Sequence, residues 1–189
     1  MLLGTAGVMN RCYLELEENH PLMLREVEYE SLITNEGADR FIAKLKARYA
    51  AFVQERLEGE ERVTIIESVM MQDVISVAHM LGMDLGKLRH LALSLQRLLE
   101  PLNPRLIYYY HVDVEGQWRF ICGIRGNEWG PVKLHTDEDF REAGEVWSRS
   151  QAFVRGVIDE WMIPKLIIEN RDYRWVENTE RVELLVAEL

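Results

Sequence analysis

The sequence has little cysteine, and its apolar residues do not form long runs. Only two cysteines, Cys12 and Cys122, occur among 189 residues, and their spacing is not that of a disulfide framework or a zinc site. No apolar run approaches the roughly 20 residues that a membrane-spanning helix requires. The apolar opening MLLGTAGVMN lacks the charged leader and the long hydrophobic centre of a signal peptide. We therefore expect a cytoplasmic protein with no membrane contact and no metal site.

Positive charge is also scarce. The chain has 22 lysines and arginines against 32 acidic residues, which gives a formal net charge of −10. An acidic surface repels phosphate backbones, so a nucleic-acid partner is not expected. A local basic pocket for one nucleotide is compatible with this balance. The length and the apolar content are those of one globular domain, which we predict to cover residues 1–189.

Helical periodicity is the main pattern among the apolar residues that are present. It predicts a helix over residues 36–58 with one buried face, formed by Phe41, Ile42, Leu45, Tyr49, Phe52, Val53 and Leu57. Asp84 is the predicted N-cap of a second helix that ends before Pro101. Thr136 and Asp139 have the spacing of a capping box, which predicts a third helix from there to about Trp161. The Met-rich segment 69–81 and residues 178–188 are also predicted to be helical.

Strands are predicted between these helices. Residues 12–17 alternate apolar with charged, which predicts a strand with one face exposed to water. Residues 63–68 begin with a β-branched apolar run, typical of a parallel strand buried on both faces. Residues 104–113 are the strongest predicted strand, and residues 164–170 are predicted to be a last buried strand. Strands that alternate with helices predict parallel βαβ units, and hence a three-layer α/β/α fold with a mainly parallel sheet.

Ligands of such sheets bind outside the carboxyl ends of the strands. Polar residues follow three of the predicted strands in this chain. They are Glu67 with Ser68, Asp113, and Glu169 with Asn170.

Four segments, taken in order, resemble a known family. They are VTIIESVMMQ, LLEPLNPRLIYYYHVDVE, RFICGIRGNEW and IPKLIIENRDYRWVE. Their order and spacing resemble the P-loop kinase fold, in the thymidylate-kinase-like branch that contains a group of bacterial proteins. The resemblance covers about residues 12–189 and implies ancestry among ATP-dependent nucleotide or small-molecule kinases.

The family's phosphate-binding loop, G-x-x-x-x-G-K-[ST], does not occur in these 189 residues. In the family this loop holds the β- and γ-phosphates and magnesium. We interpret MLLGTAG as the tail of the family's first helix, and we expect the usual first strand and its loop to be absent. The resemblance then implies ATP and Mg²⁺ only for a longer form that carries the loop. Strand edges beside the missing strand would be unpaired, so we expect the N-terminal segment or a partner copy to cover them, which makes a homodimer an alternative.

The resemblance also suggests site residues. Glu67 is the candidate catalytic carboxylate, which would orient a metal-bound water or accept a proton; the alternative is a cap on the following helix. Arg119 and Arg125 lie in a lid-like excursion, residues 114–135, where guanidinium groups would clamp phosphates. The alternative for both is a solvated surface position.

Two further candidates would contact the acceptor. His20 lies in a segment that resembles an acceptor-facing loop, although a His beside Pro is also typical of a turn. Gln72 would contact a ligand base, whereas its neighbours Met70 and Met71 are typical core residues. After the last strand, Arg174 or Trp175 would either stack on a base or hold the final helix in place.

Two functions follow from this sequence. One is a kinase-like protein that binds a small molecule or nucleotide and is catalytically silent as written. The other is a non-enzymatic ligand-binding or protein-interaction module that reuses the fold.

Overall fold

The computed structural model describes residues 9–24, 29–129, 132–171 and 174–187. The predicted helix tail at residues 1–7 lies outside these ranges. The chain divides into two compact units, Met1–Pro104 with Val154–Ile163, and Arg105–Phe153 with Pro164–Leu189. Each unit contains one pair of parallel strands, so the two are described in turn.

The first unit contains a two-stranded parallel sheet and a set of helices. Strand β1 (Asn10–Tyr13) pairs with β2 (Val63–Ile66), with Asn10 opposite Val63 and Tyr13 opposite Ile66. The helical segments are a 3-10 turn at Tyr29–Ile33, α1 (Asn35–Glu58), a π-helix at Met70–Ser76, α2 (Val77–Met80), α3 (Leu85–Leu99) and a 3-10 turn at Glu100–Leu102.

The core of the first unit forms where α1 and α3 pack together. Leu45 and Tyr49 of α1, and Leu88, Leu91 and Leu95 of α3, are completely buried. Asp84 caps α3 as the sequence predicts, since it accepts the Lys87 N–H at 2.8 Å. At the start of α1, the Thr34 hydroxyl accepts the Gly37 N–H at 3.1 Å. These caps satisfy N–H groups that the first helical turn leaves free.

The second unit also contains a parallel pair. Strand β3 (Leu106–Tyr110) pairs with β6 (Lys165–Glu169), and Tyr110 lies opposite Glu169. Between them the chain forms α4 (Val114–Arg125), a short antiparallel hairpin of β4 (Glu128–Trp129) and β5 (Val132–Lys133), and α5 (Asp137–Glu160), and it ends with α6 (Trp175–Ala187). The last residues of α5 belong to the first unit.

Aromatic rings supply much of the packing in the second unit. The Trp118 ring lies 5.3 Å from that of Trp147 and 6.0 Å from that of Trp129, distances at which aromatic pairs are favourable. The predicted capping box is confirmed at the start of α5, because Thr136 N donates to Asp139 and Asp139 N donates to the Thr136 hydroxyl at 3.1 Å.

The structure is broadly α/β, with small parallel sheets among many helices. The prediction that residues 63–68 form a strand buried on both faces is wrong, because Ile65 of β2 is exposed. The two later strands are only partly buried: Ile107 of β3 is exposed, and Ile168 is the buried residue of β6. Each of these strands pairs with a single neighbour in the described ranges. Leu57 is likewise exposed rather than buried, because it lies in the last turn of α1. No helix in the described part of the chain is long and apolar enough to cross a bilayer.

Candidate functional site

A hydrogen-bonded group of polar side chains lies at the carboxyl end of β1 and β2. The strand ladder continues one step beyond β2, where Glu67 N donates to Tyr13 O at 2.9 Å. The Glu67 carboxylate then accepts the Glu15 N–H at 3.2 Å, and Gln72 Nε2 donates to the Glu15 carboxylate at 3.1 Å. Two residues predicted from the sequence, Glu67 and Gln72, are therefore connected through Glu15.

The turn after β2 has an unusual backbone. Ser68 has a φ of 69°, in the left-handed region that residues other than glycine rarely adopt. The chain then forms the π-helix Met70–Ser76, a conformation that is rare and frequent at functional sites. Met70 and Met71 are buried within it, as expected of core residues. The turn brings the Asp73 carboxylate close enough to Glu15 for the two charges to interact.

The environment of Asp73 favours its neutral form. Burial, and then the negative charge of Glu15, raise the pKa of Asp73 to about 6, and the Ser68 hydroxyl acts in the opposite direction. Burial, and then Asp73, also raise the pKa of Tyr49, whose buried hydroxyl has no hydrogen-bond partner. Among the described residues, no three His, Cys, Asp or Glu side chains are placed to hold a metal ion. The cluster that Glu15, Glu67, Gln72 and Asp73 form can therefore take up or release a proton and accept hydrogen bonds.

His20 lies apart from this group of carboxylates. Its side chain is buried, with its ring edge-on to Tyr13 at 5.8 Å between centroids. Its Nδ1 accepts the Leu22 N–H at 3.2 Å. This bond stabilises the predicted turn at His20–Pro21, so the histidine has a structural role whether or not it also binds a ligand.

Polar residues also collect at the carboxyl end of β3 and β6. The Gln151 amide holds the backbone of His111, accepting its N–H and donating to its carbonyl, both at 2.8 Å. Asn170 N donates to Tyr110 O at 2.8 Å. His111 Nδ1 and Asn170 Oδ1 are buried without hydrogen-bond partners among the described residues, and burial lowers the pKa of His111. Asp113, by contrast, caps α4 by accepting the Gly116 N–H at 2.8 Å.

The two candidate phosphate-binding arginines lie on α4 in the second unit. Arg119 donates to Glu115 at 2.8 Å and to Asp137 at 2.7 Å, and its guanidinium lies 4.6 Å from the centre of the Phe140 ring. Arg125 lies over the Trp129 ring at 5.3 Å. The Arg119 guanidinium is therefore already bound to carboxylates, whereas Arg125 has a ring contact but no ion pair with the residues that the structure describes.

The turn after β6 carries the last pair of candidates. Trp175 begins α6, and its ring lies 6.0 Å from that of Tyr109 in β3. Arg174 forms an ion pair with Glu177 at 3.3 Å. The contact of Trp175 with Tyr109 favours the interpretation that it holds the final helix in place.

No protein-family model, curated protein or solved structure matches this chain. The resemblance to P-loop kinases therefore stays a prediction from the sequence segments that carry it.

Several polar residues of these groups were not among the sequence candidates. Glu15 and Asp73 in the first unit, and His111 and Gln151 in the second, become prominent only through their partners. The sequence offers one usable indication for Glu15, since it is one of the charged residues of the alternating segment 12–17. Asp73, His111 and Gln151 carry no comparable pattern.

Proposed function

We propose that this protein is a kinase-like α/β protein that binds a small molecule or nucleotide. In the form of these 189 residues, it does not transfer phosphoryl groups. The proposal includes the three-layer, mainly parallel architecture and the ancestry among ATP-dependent kinases. Glu67 is its central polar residue, at the carboxyl end of β2.

The observation that carries the ligand-binding part is the placement of polar groups at strand ends. Glu67, Glu15 and Gln72 follow β1 and β2, while His111 and Asn170 follow β3 and β6. The carboxyl ends of parallel strands are where open α/β sheets bind their ligands. Two buried atoms there, His111 Nδ1 and Asn170 Oδ1, lack partners, which suits groups that a ligand completes.

The hydrogen bonds that Arg119 makes with carboxylates support the absence of phosphoryl transfer. An arginine that stabilises a transferring phosphate must offer N–H donors to its oxygens. Arg119 instead directs Nε and Nη2 to Glu115 and Nη1 to Asp137. These bonds use three of its five N–H donors, so Arg119 would have to leave its carboxylates to offer a phosphate its full set of donors.

A turnover assay tests this proposal. The purified protein is incubated with ATP–Mg²⁺ and a panel of nucleoside monophosphates and small alcohols, and ADP formation is followed over hours. We expect ADP at the background rate, unchanged in Glu67→Gln. ADP formation that depends on an acceptor and is lost in Glu67→Gln would show instead that the chain is an active kinase.

The second candidate function is an interaction module that forms a homodimer. The observation that favours it is the pairing of β2 with β1 alone and of β3 with β6 alone in the described ranges. Unpaired strand edges are templates for pairing with another chain. Light scattering on a dilution series tests this candidate. A dimer would have twice the 22.2 kDa mass of the chain, and a monomer throughout the series would exclude it.

A further inference from the structure

A cavity lies between the segment 18–24 and one face of α1, both in the first unit. Its volume is about 900 Å³, within the range of roughly 300–1,000 Å³ that small-molecule sites occupy. Ala47 and Ala51 lie one turn apart on the α1 wall. Their small side chains leave space beside the ring of Phe52, which also lines the cavity.

Two of the four charged residues that line the cavity are basic, and these two lie together. Lys44 and Arg48 are one turn apart on α1. Lys44 has no ion pair or hydrogen bond with the residues that the structure describes. Arg48 uses Nη1 to donate to Met23 O at 2.7 Å, and its other N–H groups have no acceptor among the described residues. Of the two carboxylates in the lining, Glu55 is paired with Arg56 at 2.6 Å and Glu18 is exposed at the rim.

His20 lies on the opposite wall, in the segment 18–24, and its ring has one donor without an acceptor among the described residues. It lines the cavity and is 3% exposed. Because its Nδ1 accepts the Leu22 N–H, the proton of the neutral ring is on Nε2. That Nε2 is buried without an acceptor. Burial lowers the pKa of His20, an effect that Glu17 partly opposes, so the neutral ring is favoured.

We propose that this cavity binds a small organic oxyanion, with its carboxylate or phosphate between Lys44 and Arg48 and its apolar body against Phe52. Two cations one helical turn apart can contact one anionic group together. The ring of Phe52 gives the apolar part a surface to bury. Lys44, Arg48 and Phe52 do not belong to the strand-end groups, so this site can be tested separately from the proposed function.

Calorimetry with phenyl phosphate and phenylacetate as probes tests the proposal, with benzyl alcohol and benzylamine as neutral and cationic counterparts. We expect at least one of the two anions to bind at concentrations up to about 10 mM and the counterparts not to bind. The tighter of the two anions identifies the head group. Lys44→Met should weaken anion binding about fivefold, the effect of one partly screened charge contact.

Lys46→Met is the matched control, because Lys46 lies on the same helix, is exposed and does not line the cavity. It removes the same charge and should leave the affinity unchanged. The proposal is overturned if neither anion binds, if benzylamine binds as well as the anions, or if Lys44→Met and Lys46→Met weaken binding equally. Circular dichroism spectra that match those of the parent protein would show that both variants are folded.

Discussion

At the scale of single residues, the structure leaves buried polar atoms without partners at or beside the strand ends. Asp73 Oδ2 and Tyr49 Oη are two of them in the first unit, and Asn170 Oδ1 is one in the second. An unsatisfied buried polar atom costs about 1–3 kcal/mol of stability. Such atoms lower the stability of the empty protein, and a ligand that completed them would recover part of that cost.

Asp73 gives a prediction for the dependence of stability on pH. Its pKa in the folded state is about 6, above the ordinary value of 3.8, so the folded protein retains a proton that the unfolded chain loses. Stability should therefore fall as the pH rises from about 4 to about 6 and stay reduced above that range. Asp73→Asn removes the carboxylate, so this variant should not lose stability over that pH range. At about pH 7.5 it should raise the free energy of unfolding by about 1–2 kcal/mol, after allowance for solvent screening.

Urea denaturation at several pH values measures this effect. The exposed Glu60→Gln is the control and should leave the pH profile of the parent protein unchanged. An Asp73→Asn profile as steep as that of the parent between about pH 4 and pH 6 would show that Asp73 is not the group responsible.

Ser68 gives a second prediction at this scale. Its φ of 69° is strained for a residue with a Cβ atom and is unstrained for glycine. Ser68→Gly should therefore stabilise the protein by about 0.5–1 kcal/mol. Asn103 is the matched control with a φ of 50°, and since asparagine tolerates this region, Asn103→Gly should gain less. Thermal unfolding compares the two variants, and destabilisation by Ser68→Gly would contradict the strain argument.

At the scale of elements, the start of α1 depends on one close approach. A Cβ atom at Gly37 would lie 2.1 Å from Ser31 O, so alanine there must displace the backbone of the preceding 3-10 turn. We expect Gly37→Ala to destabilise the protein by about 1–3 kcal/mol in denaturant unfolding.

Gly156 of α5 provides the contrast, because a Cβ atom there would meet nothing within 4 Å. Gly156→Ala should stabilise the protein by about 0.5–1 kcal/mol, the ordinary difference in helix propensity. Equal effects of the two substitutions would mean that the packing of the turn against α1 is not as described.

The helices and their caps could be predicted because their causes are local. Asp84 and the Thr136–Asp139 pair cap helices where the sequence predicts them, and apolar spacing places α1 and α3 to within about a residue. The π-helix at Met70–Ser76 could not be predicted, since an i to i+5 pattern has no composition of its own. The burial of β2 was overestimated, because its Val, Thr and Ile residues indicate a strand without indicating how much of it is covered.

At the scale of the whole molecule, the candidate site depends on contacts between residues far apart in the chain. Glu67 follows a predicted strand, so its position at a strand end could be anticipated. Its bond to Glu15 depends on the register of β1 against β2, which the sequence does not determine. Lys44 and Arg48 have the pattern of a solvated helix face and are exposed in the structure, which adds that the segment 18–24 forms the facing wall of the cavity.

The proposed function is that of a kinase relative which lacks the phosphate-binding loop, so its small-molecule or nucleotide ligand is not ATP–Mg²⁺. Thermal unfolding with ATP–Mg²⁺ tests this most directly. A ligand that binds the folded state at about 100 times its Kd adds about 2.7 kcal/mol of stability, or about 5–10 °C in Tm for a chain of this size. We predict no change in Tm at millimolar ATP–Mg²⁺, because these 189 residues offer no loop to hold its phosphates. A rise in Tm that saturates with ATP–Mg²⁺ would contradict the account.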